Sequence, residues 1–381
     1  VRTPQTADEL AEELRRSALH GRTILLEGAG SKRAMGGPAE GEDALSTTGL
    51  RRLIEYEPRD LTVSVEAGMP WRELASLLAS NRQMVPLDPP FAEWATVGGV
   101  VASNSSGPRR RLYGTARDMV IGMRFAMLDG KLVETGGMVV KNVAGLDMAK
   151  LLIGSFGTLA AIVSVNFKVQ PAPEVERSFV IPFATVAEAV AARGAILTSA
   201  LQPAALDLLN PKAGATVGNA AWLLAIRAGG NAASVERYER EFARSGDAVA
   251  FEGQGQDRLW RHIEQFTPRW LAKQAAGAVA RVSCTLKEVG AVMESFSGPA
   301  VARAGSGVCY GYFEQADEAV AWTAGAAARG WKAVVECAPE RWKQTAEMWP
   351  APGADLEVMR RVKKLFDPGN VLNRGRLYGR I

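Results

Sequence analysis

Histidine and cysteine are the scarce residues of this 381-residue chain: two histidines, His20 and His262, and three cysteines, Cys284, Cys309 and Cys337. Three scattered cysteines without a C-x-x-C spacing make no disulfide framework, no cysteine-based zinc site and no iron–sulfur cluster. Two histidines exclude a multi-histidine catalytic cluster and a histidine-rich metal centre, so no bound metal is expected. Long apolar runs are missing too, and none reaches the roughly 18 residues that a membrane span needs. The opening "VRTPQTADELAEELRRS" lacks the basic head and apolar core of a signal peptide, which predicts a cytoplasmic location. Charge is not piled up in one sign, because the net +4 and a pI near 9.0 are only weakly basic. "GPRRRLYG" and "MRRVKKLF" come without an aromatic-and-basic stripe. Solvated faces, or an anionic cofactor or partner, account for them better than nucleic acid does.

What is present is an ordinary globular composition, 47% apolar and 23% charged, in a length that suits two domains. Thr6 and Glu9 have capping-box spacing ahead of Leu10 and Leu14, which share a helical face. "RTILLE" (22–27) reads as a short buried strand and "DLTVSVEAG" (60–68) as a strand with one face buried. Pro70 suits the first turn of a helix carrying Leu74, Leu77 and Leu78. "DMVIGMRFAMLDGKLVET" predicts a hairpin turning at Asp129-Gly130, and 157–171 a strand pair or one long strand. "QPAPE" marks a boundary near 172. Beyond it the pattern is β-α-β-β-α-β, repeated from "ARVSCTL" onward, which predicts two ferredoxin-like units packed as one larger sheet. Seven of the nine tryptophans fall in this half, which implies a core of its own. "DLEVMRRVKKLFDPGNVLNRGRL" reads as an amphipathic helix ended by a Pro-Gly turn. The expected domains are therefore 1–172, 173–354 and a C-terminal helix and turn, 355–381, that packs back on the first.

Three glycine-rich segments carry the candidate chemistry. "LEGAGSKRAMGG" (26–37) follows a strand, and Gly-Ala-Gly-Ser can curl into a nest of amides for a phosphate, or be simply a tight turn. It is neither a Rossmann fingerprint, since Arg33 stands at the third glycine position, nor a P-loop. "EWATVGGVVASNSSG" (93–107) offers small donors and glycines that let a bulky anion approach the main chain, or else a close-packed bend. "KNVAGLDMAKLLIGSFGTLAAI" (141–162) supplies Asn142, Gly145 and Asp147 before a short helix, whose Met148, Leu151 and Leu152 read as core.

In this order the segments resemble the vanillyl-alcohol oxidase, or PCMH-type, family of FAD-linked oxidases. The resemblance covers roughly residues 5–170 and the closing "KKLFDPGNVLNRGRL". It implies an α+β fold: an FAD-binding domain of two α/β subdomains, a cap domain of ferredoxin-like βαββαβ units, and a C-terminal segment returning to the FAD domain. Carried over, it places Gly28, Ala29, Gly30 and Ser31, then Thr96, Gly98, Gly99 and Ala102, around the FAD pyrophosphate. Gly157, Thr158 and Ile162 fall on the adenine side, and Asn142, Gly145, Asp147 and Asn373 towards the flavin. Pro86, Asp88 and Pro89 match the family's P-x-D-P element, and Tyr113-Gly114 its YG. Two departures stand out. Asn373-Arg374-Gly375 replaces the usual Asn-Pro-Gly, and no histidine occupies the first loop, so the FAD is expected to be non-covalent. The metal-binding histidines of the family's hydroxy-acid dehydrogenases have no counterpart in "AGSGVCYGYFE" (304–314).

The resemblance extends to the flavin subunits of glycolate oxidases, which work beside a second FAD subunit and an iron–sulfur subunit. It implies an FAD-dependent oxidoreductase acting on a CH–OH donor, glycolate or a similar 2-hydroxy acid, with much of the substrate chemistry on the partner. Peripheral attachment to the inner face of the membrane through the complex goes with that reading. Arg281 and Ser283, on a strand, together with Asn373, are the candidate catalytic residues; Arg281 can grip a carboxylate through paired N–H donors, or serve only as a structural ion pair. Two other readings stand beside this one: a self-sufficient flavin oxidase or dehydrogenase of a sugar lactone or alcohol, and a non-catalytic assembly subunit without cofactor.

Overall fold

The computed structural model describes residues 1–138, 146–243, 247–378 and 381. The chain divides into two compact units, Val1–Ser106 with Thr115–Ala172 and Glu340–Ile381, and Gly107–Gly114 with Pro173–Pro339. The return to the first unit thus begins at Glu340, and the short stretch Gly107–Gly114 groups with the second.

In the first unit the helix Ala7–Leu19 starts where Thr6 Oγ1 accepts the Glu9 amide at 3.2 Å. Its Leu10 and Leu14 are fully buried against the parallel strands β1 (Ile24–Glu27) and β2 (Asp43–Ser46). Residue 372 runs beside β1 like a third strand: Ile24 N donates to Val371 O at 2.7 Å, and Asn373 N to Ile24 O at 2.9 Å. Leu372 joins the same core. Burial of each such leucine stabilises the fold by roughly 1.5–3 kcal/mol.

A five-stranded antiparallel sheet follows from β3 (Leu53–Glu57), β4 (Thr62–Glu66), β6 (Val120–Ala126), β7 (Leu132–Gly136) and β8 (Ala161–Lys168), in the order β3-β4-β8-β6-β7. The central strand β8 is buried over residues 161–165 and again at Phe167, whereas the edge strand β3 is largely exposed, as position in a sheet dictates. Strands β6 and β7 pair across a turn in which Gly130 has φ +85°. The strands β5 (Gln83–Met84) and β9 (Gln170–Pro171) form a separate antiparallel pair. Pro70 stands at the N-cap of the helix Trp71–Ala79, whose Trp71 packs edge-on against Phe167 at 6.4 Å.

The second unit is one eight-stranded antiparallel sheet made of two similar halves. In the first half, β10 (Val175–Phe183), the helix Val186–Thr198, β11 (Ala205–Leu209), β12 (Trp222–Gly230), the helix Ala232–Ala243 and β13 (Val249–Phe251) lie in the order β13-β10-β12-β11. In the second half, β14 (Ala278–Ser283), the helix Val289–Glu294, β15 (Ala300–Arg303), β16 (Val308–Phe313), the helix Ala316–Ala328 and β17 (Lys332–Cys337) give β15-β16-β14-β17. Each half has the ferredoxin-like order, and β11 and β15 join them through Leu208↔Ala302 and Leu209↔Val301.

Two buried devices hold this sheet. Glu176 accepts from Arg109 at 2.9 Å and Arg227 at 2.8 Å, and the Arg227 guanidinium lies over the buried Trp260 ring. Phe296 and Trp322 stack at 4.3 Å, with Trp331 beside them. Trp342 and Trp349 belong to the first unit, where Trp349 meets Phe156, so the tryptophan-rich half of the sequence does not supply one undivided core.

Candidate functional site

The first unit contains an open cavity lined by residues 25–33, by Thr96, Gly98 and Gly99, and by Phe156, Gly157, Asn373 and Arg376. Strand β1 leads into it, and the chain then turns through Gly28–Ser31. Gly30 has φ +70°, a conformation that costs an L side chain about 1–2 kcal/mol. The amides of Ala29, Gly30 and Ser31 donate to no other protein group among the described residues. They remain available to an acceptor brought in from outside.

The second glycine segment is used differently. Thr96 caps the helix Val97–Ala102, its Oγ1 accepting the Gly99 amide at 3.2 Å. A Cβ on Gly28 would stand 2.2 Å from that same oxygen. One threonine hydroxyl therefore locks the two glycine segments together and leaves no room for a larger residue at 28. Gly98 donates to Ala67 O at 2.7 Å, and a Cβ there would lie 2.8 Å from Ala67 Cβ. At Gly99 a Cβ would meet only Thr96 Oγ1, at 3.2 Å. The side of Gly99 that faces the cavity is open.

The C-terminal segment completes the site. Asn373 Oδ1 accepts from Leu26 N at 2.7 Å, while Nδ2 donates to Leu26 O and Phe156 O, each at 2.8 Å. A Cβ on Gly157, itself at φ +70°, would come within 2.8 Å of Asn373 Nδ2. The catalytic role that the resemblance gives Asn373 finds no free atom, because its amide is wholly engaged in joining β1, the turn at 156–157 and the C-terminal segment. Arg376 Nη1 donates to Gly37 O at 2.9 Å, its guanidinium lying over Phe156. The fully buried Lys343 donates to Arg33 O at 2.5 Å and pairs with Glu340 at 2.7 Å. Arg33 also holds Glu27 in a bidentate pair, with Nε–Oε2 2.7 Å. Lys32, Arg33, Arg376 and Lys343 thus outnumber Glu27 and Glu340 around the loop, a balance that suits a diphosphate.

Of the residues expected at the cofactor, Gly28, Ala29, Gly30, Ser31, Thr96, Gly98, Gly99, Ala102, Gly157, Ile162 and Asn373 all line this one cavity. Thr158 is fully buried beside it, bonded to Ser155 O. Pro86 and Pro89 are buried elsewhere in the first unit, with Asp88 between them at φ +45°. Asp147 makes an exposed pair with Lys150. Tyr113 and Gly114 group with the second unit. Asn142 and Gly145 lie outside the described residues. Glu27, Lys32, Arg33, Phe156 and Arg376 line the cavity without having been expected there. Neither His20 nor His262 lines it.

The second unit carries its own charged cluster. Arg281 on β14 pairs through Nε with Glu336 Oε1 at 3.0 Å and reaches Ser283 Oγ at 3.4 Å. Burial pushes the Glu336 carboxyl up, against the opposing pull of Arg281, Arg303 and Arg110. Burial pulls Arg110 below the usual arginine range, with Arg281 and Arg303 adding to the fall. Burial also acts downward on Arg303, but Asp207 holds it above its usual value through a buried ion pair. Tyr310, on β16 directly opposite Arg281, is pushed up by burial. Three arginines share this cluster with two carboxylates, leaving it net positive.

The cavity, with its available amides, glycine approach and cationic rim, fits FAD and defines a flavin-binding domain. Residues 1–136 match the family described as FAD binding domain, and residues 348–377 the C-terminal domain of FAD linked oxidases. The matched segments are those of FAD-linked oxidases, and FAD is the cofactor that such a domain holds. It is 35% identical over 170 residues to glycolate oxidase subunit GlcE of Escherichia coli, covering 44% of this chain and 48% of that one. It is 29% identical over 211 residues to glycolate oxidase subunit GlcD of Bacillus subtilis, covering 55% and 45%. The chain spans about half the length of these relatives in the matched parts. A crystal structure of p-cresol methylhydroxylase superposes with a TM-score of 0.75 at 16% identity, over 98% of this chain and 87% of that one, and so shares the fold.

Proposed function

We propose that this chain holds FAD non-covalently in the first-unit cavity and takes part in oxidising glycolate, or a similar 2-hydroxy acid, to the 2-oxo acid. It does so as one subunit of a complex with a second FAD subunit and an iron–sulfur subunit, to which the electrons pass. The observation that carries the reading is the cavity itself, where unengaged amides at 29–31, an open Gly99 and three cations, Lys32, Arg33 and Arg376, meet. When bound, FAD supplies the acceptor for the substrate's hydride. The chain's own residues do the rest by holding: Ala29, Gly30 and Ser31 present N–H donors to a phosphate, and Lys32 and Arg376 add positive charge.

Within the second unit, Arg281 and Arg110 offer guanidinium donors to a substrate carboxylate, and Glu336, with its raised proton affinity, is the group there able to take up a hydroxyl proton. The likeness to GlcE supports the choice of a 2-hydroxy acid and of partner subunits.

The test begins with the absorbance of the purified chain. A flavin spectrum lost into the supernatant on acid precipitation is expected; a colourless protein that takes up no FAD on titration overturns the reading. Anaerobic glycolate is then added to the chain alone and with its partner subunits. Bleaching only with partners places substrate oxidation on the complex, and bleaching of the isolated chain makes it self-sufficient.

A further inference from the structure

Two of the three cysteines meet in the second unit, where the FAD chemistry makes no use of them. Val282 on β14 lies opposite Cys309 on β16, and Cys284 N donates to Gly307 O at 2.9 Å. Cys284 is therefore two residues along from Cys309's partner and on the same face of the sheet, a diagonal neighbour. The sulfurs are 4.0 Å apart. Cys309 is fully buried, whereas Cys284 stands just past the end of β14 and is partly open to solvent.

A second, independent feature points at the pair. Arg193, from the helix Val186–Thr198, is only 6% exposed, and its Nε and Nη1 have no hydrogen-bond partner among the described residues. A buried guanidinium left this way is costly unless an anion stands near it. The groups it acts on are Cys284 and Cys309. A thiolate at Cys284 supplies that anion. The hydrogen bond from Cys309 holds the Cys284 thiol below its usual range; burial and Glu288 oppose this, and Arg193 adds to it. Cys309 is held up by Cys284 and by burial. One cysteine is thus set up to attack and the other to follow.

We propose that Cys284 and Cys309 form a reversible intramolecular disulfide in response to hydrogen peroxide, with Arg193 positioning and stabilising the Cys284 thiolate. The thiolate attacks one peroxide oxygen, the O–O bond breaks, and hydroxide leaves, giving a sulfenic acid at Cys284. The Cys309 sulfur then attacks the Cys284 sulfur; the S–O bond breaks, and the departing hydroxyl takes the Cys309 proton to leave as water. In sum, two thiols and one peroxide become a disulfide and two waters, two electrons passing from sulfur to oxygen. Closing from 4.0 Å to the roughly 2.05 Å of a disulfide requires movement at the free end of β14, one residue beyond Ser283. The bridge would tie the strand that bears Arg281 to the strand that bears Tyr310. A thiol reductant restores both groups.

The experiment treats the purified full chain with a slight molar excess of hydrogen peroxide and counts free thiols after denaturation. The three thiols should fall to one, with Cys337 the survivor, and peptide mass mapping should find a 284–309 bridge that a dithiol reductant removes. In Cys309→Ser the reaction should stop at the sulfenic acid, trapped by dimedone at residue 284. Arg193→Met should slow thiol loss about threefold for each unit by which the Cys284 pKa rises, the tenfold smaller thiolate fraction being partly offset by a more nucleophilic thiolate. Three thiols remaining in the wild-type chain, or a bridge between two molecules in place of the internal one, overturns the proposal. An unchanged rate in a folded Arg193→Met chain removes Arg193 from it. The disulfide stands or falls on the wild-type mapping alone, whether or not either variant folds.

Discussion

The two units build their candidate sites from opposite materials. In the first, the cavity is made by what side chains omit: glycine at 28, 98 and 99, amides at 29–31 without protein partners, and cations kept at the rim. In the second, the cluster at Arg281 is made by what side chains bring, three guanidinium groups against two carboxylates on a sheet. The first kind of site is specified by space and fails when an atom is added. The second is specified by charge balance and fails when a charge is removed.

Four substitutions test that contrast, in falling order of their effect on stability. Gly28→Val puts a branched carbon where 2.2 Å separates an added Cβ from Thr96 Oγ1. It should cost more than about 3 kcal/mol, as severe overpacking does, and abolish flavin binding; a wild-type melting temperature would break the spatial account of this loop. Glu176→Gln removes the carboxylate shared by Arg109 and Arg227 and should cost about 3 kcal/mol, with flavin content unchanged. Burial tends to raise the Glu176 carboxyl, but Arg227 and Arg109 hold it below its usual 4.5. Its contribution is therefore full above that value and lost as pH falls through the lower folded-state value. Melting curves of the wild type and Glu176→Gln should stay apart at neutral pH and converge as pH falls below the ordinary carboxylate range.

Gly99→Val should change stability by less than about 1 kcal/mol, because an added Cβ meets only one oxygen, yet it should empty the cavity of flavin. Normal flavin content in that variant would move the cofactor away from Gly99. Arg281→Met should lower the melting temperature slightly, since Arg110 and Arg303 still face Glu336, and keep the flavin content near wild type while lowering turnover of the assembled complex at least tenfold. Unchanged turnover would reduce Arg281 to a structural partner of Glu336.

Local patterns were legible in the sequence, and long-range ones were not. The β-α-β-β-α-β rhythm from residue 173 was readable because each element announces itself by its own period and turns. The hairpin at Asp129-Gly130 and the helix after Pro70 were readable for the same reason. The glycine segments were visible as cradles, but their division of labour was not. Nothing local to Gly98 reveals that its amide is used by Ala67, or that Gly28 is small because of Thr96. Lys343 and Arg376 reach the carbonyls of residues 33 and 37 across more than 300 positions. No periodicity encodes such a reach. Glu336 escaped notice because its significance lies in which strands flank it, and sheet order places β17 beside β14.

The Asn373 clip also sets a schedule. Its partner Leu26 lies 347 positions earlier, so at roughly 5–20 residues per second a growing chain waits about 20–70 s between making the two halves of that contact. Until then β1 lacks the neighbour that Leu372 provides, and the loop at 28–37 lacks Lys343 and Arg376. The whole of the second unit is translated in that interval and is free to fold first. Flavin loading thus belongs to the end of biogenesis, and the nascent cavity is the interval's exposed surface, the stage at which a chaperone or a supply of free FAD has most influence on yield.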